Sequence, residues 1–183
     1  MASAALVVLL ITLVSVIYIS TASATAISRT TSQVQLQVSQ WEDSINNRSV
    51  GSITEFYTNS SVVSLYSKGI GNLCNQLVLN GTYTYAGTSN APSIRGLYTT
   101  ELSNFKPSPS LVTVSNLTLK DNGRGSVNAT FTLVLNGIRE VFGPTNETAN
   151  VQQQWTNQGG SGSWQILKEN WDYLSWYVQI PMC

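Results

Sequence analysis

The sequence contains no histidine, and charged side chains make up only 10% of its 183 residues, with 9 of each sign. The missing histidine excludes a Ser-His-Asp triad, a histidine acid or base, and any histidine-ligated metal. A net charge of +0 without a basic cluster excludes the phosphate-neutralising surface that nucleic-acid binding needs. Only two cysteines occur, Cys74 and Cys183, too few and too far apart for a thiolate zinc site or a Cys-x-x-Cys redox pair. The stretch Gly159-Gly160-Ser161-Gly162 lacks the Gly-Lys-Ser/Thr ending of a phosphate cradle, so a hairpin turn is expected there. No cofactor and no metal are expected.

Charge is also absent locally, since every charged residue follows Ser28. Residues 4–19 are predominantly apolar, so 1–28 are expected to be a membrane-directed leader and 29–183 a single domain of ordinary size. Three readings of the leader stand. A secretory signal would end at Ala22-Ser23-Ala24 or Ala24-Thr25-Ala26, although the usual basic n-region is missing. A retained anchor is the second, because the run extended through Ile27 reaches the roughly 20 residues that span a bilayer. A filament subunit of the type IV pilin kind is the third, weakened by the lack of a Lys/Arg-Gly processing site.

Each reading puts the domain outside the cytoplasm, secreted or at the cell surface, with membrane contact through the N-terminal segment. Ser, Thr, Asn and Gln fill the polar positions, and such a surface does not change when carboxylates titrate, so an acidic exterior is expected. Six Asn-x-Ser/Thr acceptors, at Asn47, Asn59, Asn80, Asn116, Asn128 and Asn146, are candidate glycosylation sites. In an exported chain Cys74 and Cys183 are expected to form one disulfide, stabilising by about 4–5 kcal/mol in the chain-entropy model. The alternatives are two free thiols, or a Cys183 bridge between subunits.

Past the leader, Val34, Val38, Trp41 and Ile45 lie on one stripe of an amphipathic helix. Ser52-Ile53-Thr54-Glu55 matches a capping box and predicts a short second helix carrying Ile53, Phe56 and Tyr57. Extended runs follow at 61–67 and 76–86. Ile94, Leu97, Tyr98, Leu102 and Phe105 share one helical face behind Pro92. Strands are then predicted at 111–119, 126–142, 148–157 and 163–176, with a hairpin turn at Asp121-Asn122-Gly123.

This element order, with the Gly81-Thr82-Tyr83-Thr84-Tyr85-Ala86-Gly87 strand, the helix from Ile94 to Phe105 and the closing Gly162–Tyr173 segment, resembles the nuclear transport factor 2-like (SnoaL-like) superfamily. The resemblance covers roughly residues 33 to 177. It implies an α+β, cone-shaped fold, in which a strongly bent antiparallel sheet wraps the N-terminal helices, here preceded by an apolar N-terminal helix. It also implies a pocket at the open end and a homodimer built on the outer sheet face.

Two functions follow from the resemblance. One is a small-ligand-binding or interaction module, taking an apolar or sugar-like molecule, without catalysis. The other is a cofactor-independent lyase or isomerase that moves a proton with a pocket carboxylate and a tyrosine. The candidate catalytic residues are Glu101, Asp172 and Tyr98, and the candidate pocket residues are Tyr57, Tyr83, Tyr85 and Glu169. Glu169 shares strand parity with Trp171 and Tyr173, and Asp172 with Trp164, Ile166 and Lys168, so one carboxylate faces the pocket and the other faces out. Arg95 and Arg139 are candidate partners for these acids or for an anionic ligand. Trp155, Trp164, Trp171, Trp176 and Tyr177 form either a binding platform or part of the core.

Overall fold

The computed structural model describes residues 29–67, 70–72, 75–77, 81–89, 91–108, 110–139, 143–157 and 163–178. Residues 1–28, both cysteines, Asn80 and the glycine-rich stretch 159–162 lie outside the described residues, as do the expectations placed on them. Among the described residues no helix is long and apolar enough to cross a membrane.

A first helix, α1, covers 29–46, followed by α2 (Val50–Glu55), β1 (Tyr57–Ser67), the short β2 (Ile70–Asn72) and β3 (Asn75–Leu77), and β4 (Gly81–Thr84). Then come α3 (Ile94–Ser103), β5 (Val112–Gly123), β6 (Ser126–Arg139), β7 (Gly143–Thr156) and β8 (Gln165–Val178). Six strands form one curved, open sheet in the order β4-β1-β8-β7-β6-β5, and β2 and β3 pair separately. The architecture is α+β, but the sheet is not wholly antiparallel as expected, because β1 and β8 run parallel. Parallel neighbours need a long connection, and nearly the whole domain lies between these two strands.

The expected helical stripe forms the inner layer: Val34, Val38, Trp41 and Ile45 are all buried. Helix α1 also covers the edge strand β5. Asn46 donates Nδ2–H to the Val112 carbonyl and accepts from the Val112 amide, and Glu42 accepts from the Val114 amide at 2.9 Å. Satisfying edge backbone groups in this way blocks pairing with another chain at this end of β5.

Three local expectations are corrected. The cap of α2 is Ser49 rather than Ser52, since the Ser49 hydroxyl accepts from the Ser52 amide, and Tyr57 begins β1 instead of closing the helix. The β5–β6 turn is centred on Arg124-Gly125, not on Asn122-Gly123: Gly123 pairs with Ser126, and Arg124 and Gly125 have φ of 54° and 69°. Positive φ at both central residues is the primed-turn geometry that suits strand twist. Phe105 leaves α3 yet stays buried, in a bridge with Arg139, while the Lys106 amide donates to the Ile138 carbonyl.

Strand alternation builds the core. On β6 the inward residues are Val127, Ala129, Phe131 and Leu133, and on β7 they are Thr145, Glu147, Ala149, Val151, Gln153 and Trp155. On β8 the inward set changes parity, because Gln154 pairs with Lys168 while Trp155 pairs with Ile166, leaving Leu167 as a bulge. Trp164 and Ile166 therefore face inward together with Glu169, Trp171 and Tyr173. Trp155, Trp164 and Trp171 are core residues, not an exposed platform.

Candidate functional site

The bulge at Leu167 decides between the two carboxylates of β8. Glu169 is 0% exposed, facing the interior between Val63 of β1 and Gln153 of β7. Asp172 lies on the outer face, exposed, paired with Tyr66 and Asn150 and apart from the interior site.

Both Glu169 oxygens are surrounded by hydrogen-bonding groups. Gln153 Nε2 donates to Oε2 at 2.7 Å and Trp171 Nε1 to Oε1 at 2.5 Å. The Tyr57 hydroxyl lies 3.0 Å from Oε2 and the Tyr98 hydroxyl 3.2 Å from Oε1, while the two hydroxyls are 2.7 Å apart. An outer ring of donors completes the cluster, with Trp41 Nε1 donating to Tyr57 and Trp155 Nε1 to the Gln153 carbonyl oxygen. Burial raises the Glu169 pKa, and its hydrogen bonds only partly oppose that rise. Burial and the neighbouring carboxylate hold the Tyr57 and Tyr98 hydroxyls well above the ordinary phenol value, so both stay protonated.

A second polar cluster stands at the end of α3. Arg139 donates through Nε (2.9 Å) and Nη2 (2.7 Å) to Glu147 Oε1, and through Nη2 to Glu101 Oε2 at 3.2 Å. Its guanidinium carbon lies 4.3 Å from the centre of the Phe105 ring, a cation–π contact. Burial would lower the Arg139 pKa, but the two carboxylates outweigh it and raise it, so the charge is permanent. Burial, then Glu147 and Glu101, hold the Tyr173 hydroxyl well above the ordinary phenol value. The exit of α3 is fixed by Arg48, whose Nη1 donates to the Leu102 and Phe105 carbonyls and whose Nη2 donates to Lys106.

Between the two clusters α3 and the sheet enclose a cavity of about 30 Å³, as open to the centre of a water-sized sphere. A buried water needs at least about 10–15 Å³ on this measure, so the space holds about two. Leu97, Leu102, Phe105, Leu65, Leu135 and Ile45 supply most of its wall, while Tyr98 and Trp171 adjoin the Glu169 cluster and Glu101 the arginine cluster. Glu169 itself is not among the lining residues.

Of the residues named from sequence, the fold brings Glu101, Tyr98, Tyr57 and Glu169 to the cavity or directly behind it. Tyr83 is half-buried on β4 and close enough to Glu101 for its carboxylate, after burial, to raise the tyrosine pKa. Tyr85 is exposed beyond β4, and Arg95 is exposed on α3. Glu147 and Gln153 were missed, although inward-parity polar residues among Ala149, Val151 and Trp155 were a readable signal. Of the glycosylation candidates, Asn47, Asn59, Asn116 and Asn128 are exposed, while Asn146 is half-buried and donates to Asn136.

No family model and no curated protein matches the chain. Solved structures do. LinA superposes with a TM-score of 0.62 at 18% identity, covering 86% of this chain and 97% of that one. The hexachlorocyclohexane dehydrochlorinase LinA-type3 from Novosphingobium barchaimii LL02 gives 0.61 at 16% identity, covering 87% and 96%. An NTF2-like protein of unknown function from Pseudomonas putida KT2440 gives 0.54 at 17% identity, covering 77% and 84%. At these identities the likeness establishes the fold, which is NTF2-like, and leaves function to the site.

Proposed function

We propose that the domain is a binding module, working outside the cytoplasm, that holds a small and mainly apolar molecule between α3 and the inner face of the sheet. The observation that carries this reading is the cavity wall, where carbon surfaces dominate and Glu101 is the one carboxylate among the lining residues. Apolar walls with a few placed polar groups are the usual chemistry of a small-molecule site. A ligand of this kind packs against Leu97 and Phe105 and directs a hydrogen-bond donor to Glu101. Because the cavity is only about 30 Å³, binding requires α3 to shift outward, and that opening lowers the apparent affinity. The export reading rests on the uncharged apolar segment 4–19 and the exposed glycosylation candidates.

The test is a thermal-shift screen with short-chain alcohols, phenols and amines, run on the native protein and on Leu97→Phe, which fills the cavity. Probes that raise the native Tm and lose their effect in the variant support the reading. If no probe acts, or the variant responds equally, the cavity is not the binding site.

A second reading, a cofactor-independent lyase or isomerase, draws on Glu101. Its Oε2 is oriented by Arg139, while its side chain is 28% exposed at the cavity, as a positioned base would be. Glu169 does not fit that role, because hydrogen-bond partners surround both its oxygens and it is not among the residues lining the cavity. Turnover of a probe that Glu101→Gln abolishes while leaving binding intact would favour the enzyme.

A further inference from the structure

The cluster around Glu169 contains one contact too many for an ionised carboxylate. Tyr57 Oη, Tyr98 Oη and the Glu169 carboxyl form a triangle with sides of 2.7, 3.0 and 3.2 Å. Two phenol protons fill only two of the three sides, so an ionised Glu169 leaves lone pairs facing each other across the third. A proton on Oε2 completes the set. Oε2–H then donates to Tyr57, Tyr57 to Tyr98, and Tyr98 to Oε1, while Gln153, Trp171 and Trp41 donate inward from outside the ring. Every hydroxyl and indole hydrogen in the cluster is then used once.

We propose that Glu169 sits in the native fold as a neutral carboxylic acid, closing this ring, and acts as the positioning residue for the cavity wall. Its Oε1 receives both Tyr98 and Trp171, the two rings that line the cavity on that side. The elements packed around it contribute Trp41 from α1, Tyr57 and Val63 from β1, Tyr98 from α3, Gln153 from β7 and Trp171 from β8. The only titratable groups among these are the two phenols. Both ion pairs among the described residues involve Arg139 with Glu101 and Glu147, so Glu169 has no cationic partner there. A charge buried without a counter-ion is costly, and losing it by protonation is the usual outcome.

The direction of the pH effect follows. The folded-state pKa of Glu169 is raised above the ordinary value of 4.5. Its contribution to stability is therefore complete below the unfolded value and is lost as pH rises through the folded one. The fold is held most firmly by this group in acid, in keeping with a chain that has no histidine and few charges. The other charged groups are common to native and variant proteins, so their contributions cancel in a comparison.

The experiment is a carbon-13 NMR titration of the glutamate carboxyls, with Glu169→Gln as the assignment control, beside melting curves of both proteins from acid to alkaline pH. The expected result is one glutamate carboxyl still protonated at neutral pH and missing from the variant. The Tm of Glu169→Gln should also gain on that of the native protein as pH rises, because an amide can keep the ring without titrating. Fully ionised glutamates at neutral pH overturn the proposal. If Glu169→Gln does not fold, the native titration still decides, read on whether any carboxyl carbon remains at its protonated position. Neither readout depends on a ligand, so failure here is distinct from failure of the binding reading.

Discussion

Gln153 and Glu169 are directly opposite on neighbouring strands, and the amide of one donates to the carboxyl of the other at 2.7 Å while accepting from the indole of Trp155 at 3.0 Å. One side chain thus links the buried acid to the far end of the core. Replacing it with Leu strands one carboxyl lone pair and one indole N–H, each in a dry environment. Gln153→Leu is expected to destabilise by about 2–6 kcal/mol, at about 1–3 kcal/mol for each of the two unsatisfied groups. Urea denaturation checks this, and a loss below about 1 kcal/mol would mean that water replaces the amide.

Arg139 and Glu147 are both nearly buried, with side-chain exposures of 10% and 1%. Removing one partner from such a pair typically costs about 3–5 kcal/mol, whereas removing both is far milder. Arg139→Met should therefore be the damaging change, and adding Glu147→Gln should recover much of the loss. A double-mutant cycle by chemical denaturation measures the coupling, and additive losses would show that the pair is not a unit.

Gly137 lies on the inner face of β6 beneath the cavity. An added Cβ would stand 2.5 Å from Phe105 Cδ1 and 2.9 Å from Leu111 Cδ1, closer than real contacts allow. Gly137→Ala is expected to push Phe105 off the sheet, costing about 1–3 kcal/mol as overpacking does. The Phe105–Arg139 contact should loosen with it, visible as changed ring-current shifts of the Arg139 side chain. Unchanged stability and shifts would mean that the two side chains rearrange freely.

Much of the fold is legible in the sequence because periodicity follows directly from burial. The α1 stripe, the α3 face and the alternation of β6 and β7 all correspond to buried residues. What was not legible depends on pairing. The Leu167 bulge is set by the register of β8 against β7, and without it parity cannot choose between Glu169 and Asp172. The parallel union of β1 with β8 and the shift of the turn to Arg124-Gly125 likewise arise from strand partners remote in sequence or one residue out of step.

The site was legible in part for the same reason. Glu101, Tyr98 and Glu169 stood out as chemical types, but their roles depend on Arg139, Gln153 and Trp171, which reach them only across the sheet. Ligand preference is a property of the assembled cavity, to which α1, α3 and the sheet all contribute walls.

A ligand seated between α3 and the sheet would be seen by methyl NMR of the native protein titrated with the best probe from the thermal screen. Binding there produces saturable shifts centred on Leu65, Leu97, Leu102, Leu111 and Leu135, all at the cavity wall, and these are lost in Leu97→Phe. Shifts centred instead on the exposed Leu36 or Leu174, or undiminished by Leu97→Phe, would place binding elsewhere and contradict it.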